Sequence, residues 1–188
     1  MLKKLLLAVV VVFAAFALFV ATRPASYRVS RSRAMAAPAT TVYAQVADFH
    51  QWEKWSPWAK LDPAMKTTFT GPAAAAGSSY AWTGNDKVGE GKMTIVETRP
   101  GERVHIRLEF VKPFASTNST AFTFAPKGGG TETTWTMDGY NDFAGKAFSV
   151  FMNMDKMIGN DFEKGLAQLK TVAEAEAHAS PAAAAAAR

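Results

Sequence analysis

A chain of 188 residues, 48% apolar and 20% charged, with a net charge of +5, has the makeup of one globular domain with appendages. Its Lys and Arg residues are scattered along the chain, which excludes the basic stripe that nucleic-acid binding needs. The absence of cysteine excludes disulfides, thiolate metal sites and a cysteine nucleophile.

The N-terminus reads Met1-Leu2-Lys3-Lys4, and no charge follows from Leu5 to Thr22. A helix needs roughly 17–25 such residues to cross a bilayer. Arg23 and Pro24 end the run. A signal peptide is the competing reading, because Ala15-Phe16-Ala17 fits a cleavage site. Bulky Leu18, Phe19 and Val20 continue past it, which favours an uncleaved anchor over residues 1–24. Lys3, Lys4 and the free amine favour a cytoplasmic N-terminus, whereas Arg23, Arg28, Arg31 and Arg33 argue the other way. Long domains translocate largely regardless of such charges, so the domain is expected on the far side of the membrane.

The segment Tyr27 to Arg33 alternates large with polar residues and predicts a first strand. Pro38 suits the first turn of a helix, and Val42, Tyr43, Val46 and Phe49 follow at helical spacing. A short helix through Trp52 and Trp55 is stopped near Pro57. Trp52, Trp55 and Trp58 hold three of the five tryptophans. Large rings on a short, irregular element wall either a core or a cavity.

A strand region follows: Met65–Thr70, Ser78–Thr83, Gly91–Thr98, Arg103–Val111, Asn118–Ala125 and Thr131–Tyr140. Turn signals such as Gly71-Pro72 and Pro100-Gly101 separate these strands. Val104, Ile106, Leu108 and Phe110 share one face of their strand, and Arg103, His105, Arg107 and Glu109 the other. Short turns between consecutive strands predict an antiparallel meander with one buried face. Trp82, Met93, Phe122 and Trp135 fall at inward positions.

Asp142 is positioned to cap a long helix from Phe143 to about Ala173. Its apolar stripe includes Phe148, Phe151, Met152, Ile158, Phe162, Leu166 and Leu169. Asp155 falls on this stripe, where desolvation would raise its pKa and suit it to proton transfer. The competing reading pairs Asp155 with a cation and fixes the helix. From Ala173 onward an Ala-rich tail has little to pack and extends the helix at most to the residue before Pro181.

One strand, short helices, a meander and a long helix describe an α+β domain whose curved sheet wraps a C-terminal helix. The segments Phe49-His50-Gln51-Trp52-Glu53-Lys54-Trp55-Ser56-Pro57-Trp58 and Leu61-Asp62-Pro63-Ala64-Met65-Lys66 resemble the START-like (SRPBCC) superfamily. So do Val88-Gly89-Glu90-Gly91-Lys92-Met93 and Met154-Asp155-Lys156-Met157-Ile158-Gly159. The chain is most similar to a bacterial membrane-anchored, polyketide cyclase/dehydratase-like subgroup, over residues 25–172. The resemblance implies the helix-grip (Bet v 1-like) fold and an apolar cavity, but no particular reaction. A bacterial membrane-anchored subgroup, taken with the orientation expected above, places the protein in the inner membrane with a periplasmic domain.

The expected function is binding of an apolar or amphipathic molecule, a lipid or polyketide-like compound. The expected lining is Trp52, Trp55, Trp58, Trp82, Met93, Ile106, Leu108, Phe122, Trp135, Phe148, Phe151, Met152 and Asp155. The alternatives are a cyclase or dehydratase with Asp155 as its catalytic residue, and a protein-interaction module with a filled core. His50, His105 and His178 lack the partners that nucleophilic catalysis or zinc binding needs. Gly128-Gly129-Gly130 reads as a hairpin turn. No metal or cofactor is implied.

Overall fold

The architecture comes from a computed structural model that describes residues 1–186. An apolar helix α1 (Leu2–Ala21) precedes strand β1 (Ser26–Met35) and helix α2 (Ala39–Ala47). A 3-10 turn (Phe49–Gln51) leads into the one-turn helix α3 (Trp52–Trp55). The strands β2 (Lys66–Thr70), β3 (Ser79–Thr83), β4 (Glu90–Arg99), β5 (Arg103–Lys112), β6 (Ser116–Lys127) and β7 (Gly130–Tyr140) follow. Two helices end the chain, α4 (Phe143–Phe151) and α5 (Met154–Ala186).

The strands form one antiparallel sheet in the order β1-β7-β6-β5-β4-β3-β2. The meander runs from β2 to β7, and β1 closes on β7. Alternation works as the sequence implies, because one face alone is covered. Val29, Met137, Thr120, Ile106 and Ile95 are cross-strand neighbours in one row, and all are buried. His105, on the opposite face, bonds Ser119 at 2.7 Å near solvent. This is the helix-grip architecture.

Helix α5 supplies the cover. Phe162, Leu166, Leu169 and Ala173 recur at helical spacing and are buried against β1, α2 and α3. Phe162 lies flat on Trp135, with ring centroids 4.0 Å apart and planes 7° apart. Gly165 allows this approach. A Cβ there would stand 2.8 Å from Trp135 and 3.2 Å from Pro57.

Three expectations are corrected. The C-terminal helix is not continuous from Phe143: Met152 is extended, and Asn153 starts α5 by accepting from the Lys156 N–H at 2.9 Å. An Asn side chain that caps a new first turn competes with the helix running through it. The packed part of the domain also continues past Ala173, which is fully buried. Glu174 accepts from the Ala36 N–H at 2.5 Å, and Glu176 pairs with Gln45 of α2. The helix continues through Pro181 to Ala186 within an alanine run, alanine being the strongest helix former.

Phe162→Ala removes the ring that joins α5 to Trp135. It should lower the unfolding free energy by about 3–5 kcal/mol, the usual cost of emptying a buried Phe site. Chemical denaturation with tryptophan fluorescence as the readout measures this. A loss below 1 kcal/mol would show that the stack does not hold α5.

Candidate functional site

The tryptophan segment is positioned from α2. Trp52 donates its indole N–H to the Val46 carbonyl at 2.8 Å, and Trp55 donates to the Gln45 carbonyl at 3.0 Å. Asp48 caps the 3-10 turn by accepting from the His50 N–H at 3.0 Å. These bonds aim both rings inward. Trp52 and Trp55 meet Phe122 and Trp135 edge-on at 5.8–6.2 Å, and Trp58 meets Trp135 at 5.8 Å.

The expected lining therefore divides. Trp52, Trp55, Met93, Ile106, Phe122 and Trp135 are core residues in mutual contact. Trp58, Trp82 and Leu108 are half-buried at the edge of that core. Tightly packed rings leave these positions little open volume.

Open volume lies elsewhere. A hollow of about 440 Å³ is lined by Pro24, Ser26, Tyr27, Asn141 and the run Ser149 to Met154. A second, of about 310 Å³, adjoins it between Arg23, Pro24, Ser149 and Val150. The volume of the larger falls within the roughly 300–1,000 Å³ range of ligand pockets, and it is an open depression, not an enclosed cavity. The break between α4 and α5 borders it: Met152 and Asn153 lie in its lining with Ser26 and Tyr27 of β1. Of the expected lining, Phe151 and Met152 border this hollow.

Its lining is mixed. Ser26, Asn141, Ser149 and Asn153 bring polar atoms, while Val150, Phe151, Met152 and Met154 bring apolar surface. On the sheet side, Tyr27 donates its hydroxyl to Asn118 Oδ1 at 2.9 Å, and burial pushes its phenol pKa up. Gly139 is required between them: a Cβ there would overlap the Tyr27 ring. The inward row continues from Tyr27 through Gly139 and Asn118 to Leu108. The sequence pattern did not single out Tyr27 and Asn118 as a pair, because 90 residues of chain lie between them. Their only signal was the shared inward parity of their strands.

Asp155 is not desolvated. Its side chain is 58% exposed and pairs with Arg31 at 3.0 Å. That hydrogen bond holds its carboxyl below the usual carboxylate range. Arg31 lies on the inward face of β1 and also reaches Glu163 at 2.9 Å. Its guanidinium crosses α5 at Gly159, where a Cβ would overlap it. Asp155, Gly159 and Glu163 thus form one ridge that clamps Arg31. Phe148 is half exposed on α4, away from the core. Among the described residues, no group of three or more His, Asp or Glu could hold a metal ion.

Comparison with known proteins agrees with this architecture. Residues 26–174 match the family model described as polyketide cyclase / dehydrase and lipid transport. No curated protein matches the chain. Among solved structures, protein CV1439 from Chromobacterium violaceum is 19% identical with a TM-score of 0.57, covering 81% of this chain and 99% of that one. Protein Ms6760 from Mycobacterium smegmatis is 21% identical with a TM-score of 0.55, covering 79% and 92%. Ara h 8.0201 is 11% identical with a TM-score of 0.53, covering 82% and 99%. At such identities the likeness establishes the fold, and the match across most of the domain establishes the family. The chain belongs to the polyketide cyclase / dehydrase and lipid transport family, within the START-like (SRPBCC) superfamily.

Proposed function

We propose that this protein is a membrane-anchored domain that binds an amphipathic small molecule, a lipid or polyketide-like compound, in the hollow at the α4–α5 break. One observation carries the proposal: the 440 Å³ hollow has a mixed lining and opens beside the end of an apolar helix. A molecule with a polar head and an apolar tail meets both needs there. Apolar contacts supply affinity, and Asn141, Ser26 and the Tyr27–Asn118 pair orient the head. The family description includes lipid transport. The 20 residues of α1, whose most apolar 18-residue stretch has a mean hydropathy of 2.8, are long enough to span a hydrocarbon core. In this reading α1 is an uncleaved anchor in a bacterial inner membrane, and the domain faces the periplasm.

The cyclase reading receives less support. Proton transfer near neutral pH favours a carboxyl with a raised pKa. The Arg31 pair pushes Asp155 the opposite way. We assign Asp155 to the clamp that fixes the start of α5 on β1.

Native mass spectrometry of the full chain, released gently from host membranes, should show a bound lipid-class adduct. Ser149→Trp, which intrudes on both hollows, should abolish the adduct without altering the circular dichroism spectrum. An adduct that survives this substitution would remove the hollow as its site. The clamp makes a separate pH prediction. A depressed folded-state pKa contributes stability above the ordinary carboxylate range, and that contribution is lost as pH falls through the depressed value. Asp155→Asn should therefore melt below the wild type at neutral pH, and the gap should close in acid. A gap that stays constant with pH would exclude the ion pair as its cause.

A further inference from the structure

The strongest apolar feature that the proposed binding site does not explain is the outer face of α4. Phe143, Ala147, Phe148 and Phe151 recur at one-turn spacing along it. The three Phe side chains are 55%, 51% and 75% exposed, and α4 has no buried residue. A soluble helix normally turns such a face to the core. Here the core side is taken by α5, and α4 packs instead on α1. The Phe16 and Phe151 rings lie 6.0 Å apart, and Lys146 donates to the Ala21 carbonyl at 3.4 Å. Val20 is fully buried, so the last turn of α1 is part of the domain surface.

These contacts fix a depth. Phe16 precedes Ala21 by five positions, which is about 7.5 Å along a helix at 1.5 Å per residue. An interfacial amphipathic helix lies about 5–10 Å into the boundary between headgroups and acyl chains. The contacts run antiparallel, Lys146 beside Ala21 and Phe151 beside Phe16, so with α1 spanning a bilayer it is the Phe148–Phe151 end of α4 that reaches that layer.

An independent element points to the same plane. The β5–β6 turn leaves the sheet at the end where β1 begins and β7 ends, because Phe110 pairs with Ser116 and Ser26 with Tyr140. Phe114 at its tip is 82% exposed and Val111 53%. Tyr140, at the same end, is 71% exposed, and an amphipathic ring suits the headgroup level. The β6–β7 hairpin at Gly128-Gly129 lies at the opposite end, about 33 Å away across ten strand residues at ~3.3 Å each. It carries Lys127 and two glycines, with no apolar side chain at its tip.

We infer that the domain docks on the bilayer surface through the α4 face and the Phe114 turn, with both elements inserted at the headgroup–acyl boundary beside α1. Docking brings the hollow to the lipid, since Phe151 belongs both to its lining and to the inserted face. The inference rests on α1 being an anchor, but it stands whether or not the hollow holds a ligand.

The cysteine-free chain allows a direct test. The variants V9C, F148C, F114C and K127C, each made in the full chain, are labelled with an environment-sensitive fluorophore. They are then reconstituted in phosphatidylethanolamine–phosphatidylglycerol vesicles. Labels at F148C and F114C should shift to the blue and be quenched severalfold by lipids brominated at shallow acyl positions. The V9C label should be quenched best by deeply brominated lipids, and the K127C label by neither. Labels at F148C and F114C that behave like K127C, while V9C is quenched, would overturn the docking and leave the anchor intact. A V9C label untouched by lipid quenchers, or lost by cleavage, would overturn both. An F148C label shielded from water yet unquenched by brominated lipid would mean that protein covers the face, and this also overturns the proposal. Both Phe positions are exposed, so neither substitution disturbs the core.

Discussion

The contact between Phe162 and Trp135 is the point on which this architecture turns. A curved sheet with one apolar face is unstable until something covers that face, and α5 is the cover. Phe162 stacks on Trp135, which also receives the edges of Trp52, Trp55 and Trp58. One indole therefore holds the helix, the sheet and the α3 segment together. Its own N–H is satisfied by Thr120 at 3.0 Å, so the ring can be buried without an orphaned donor. Gly165, which has no Cβ to crowd Trp135 or Pro57, provides the clearance that brings these layers within contact.

The order of elements was legible because each strand had one covered face, and that imposes a period of two on its side chains. The caps and turns were equally plain: Asp142 accepts from Gly145 as its position implies. The break at Met152 was not legible. Phe148, Phe151, Met152 and Ile158 keep helical spacing on both sides of it, so the stripe reads as continuous. The available signal was Asn153, a capping residue with Asp155 in the following turn. Asp155 was misjudged for a related reason. A stripe records which side of a helix faces inward, but not what waits there. Here Arg31, on the inward face of β1, sits opposite that side.

The tryptophans carried a similar ambiguity. Their concentration reads as the wall of a core or of a cavity, and in the structure Trp52 and Trp55 are core: rings that meet at 4–6 Å fill space rather than enclose it. The open space lies where the helix is interrupted, at the junction of α4 with α5. Tyr27 borders that hollow, and Asn118 and Gly139 are brought against it by strand register alone. Register emerges only when the sheet is assembled.

The neck of the molecule is short. Thr22 to Ala25 join α1 to β1, and four residues span at most about 14 Å even when fully extended. Val20 is already buried against the domain, so little of that length is free. A tether of this kind sets an orientation and denies reach. With α1 held in a bilayer, the domain cannot swing toward a facing membrane or a distant partner. Whatever the domain meets in the lipid, it meets in the leaflet from which α1 emerges.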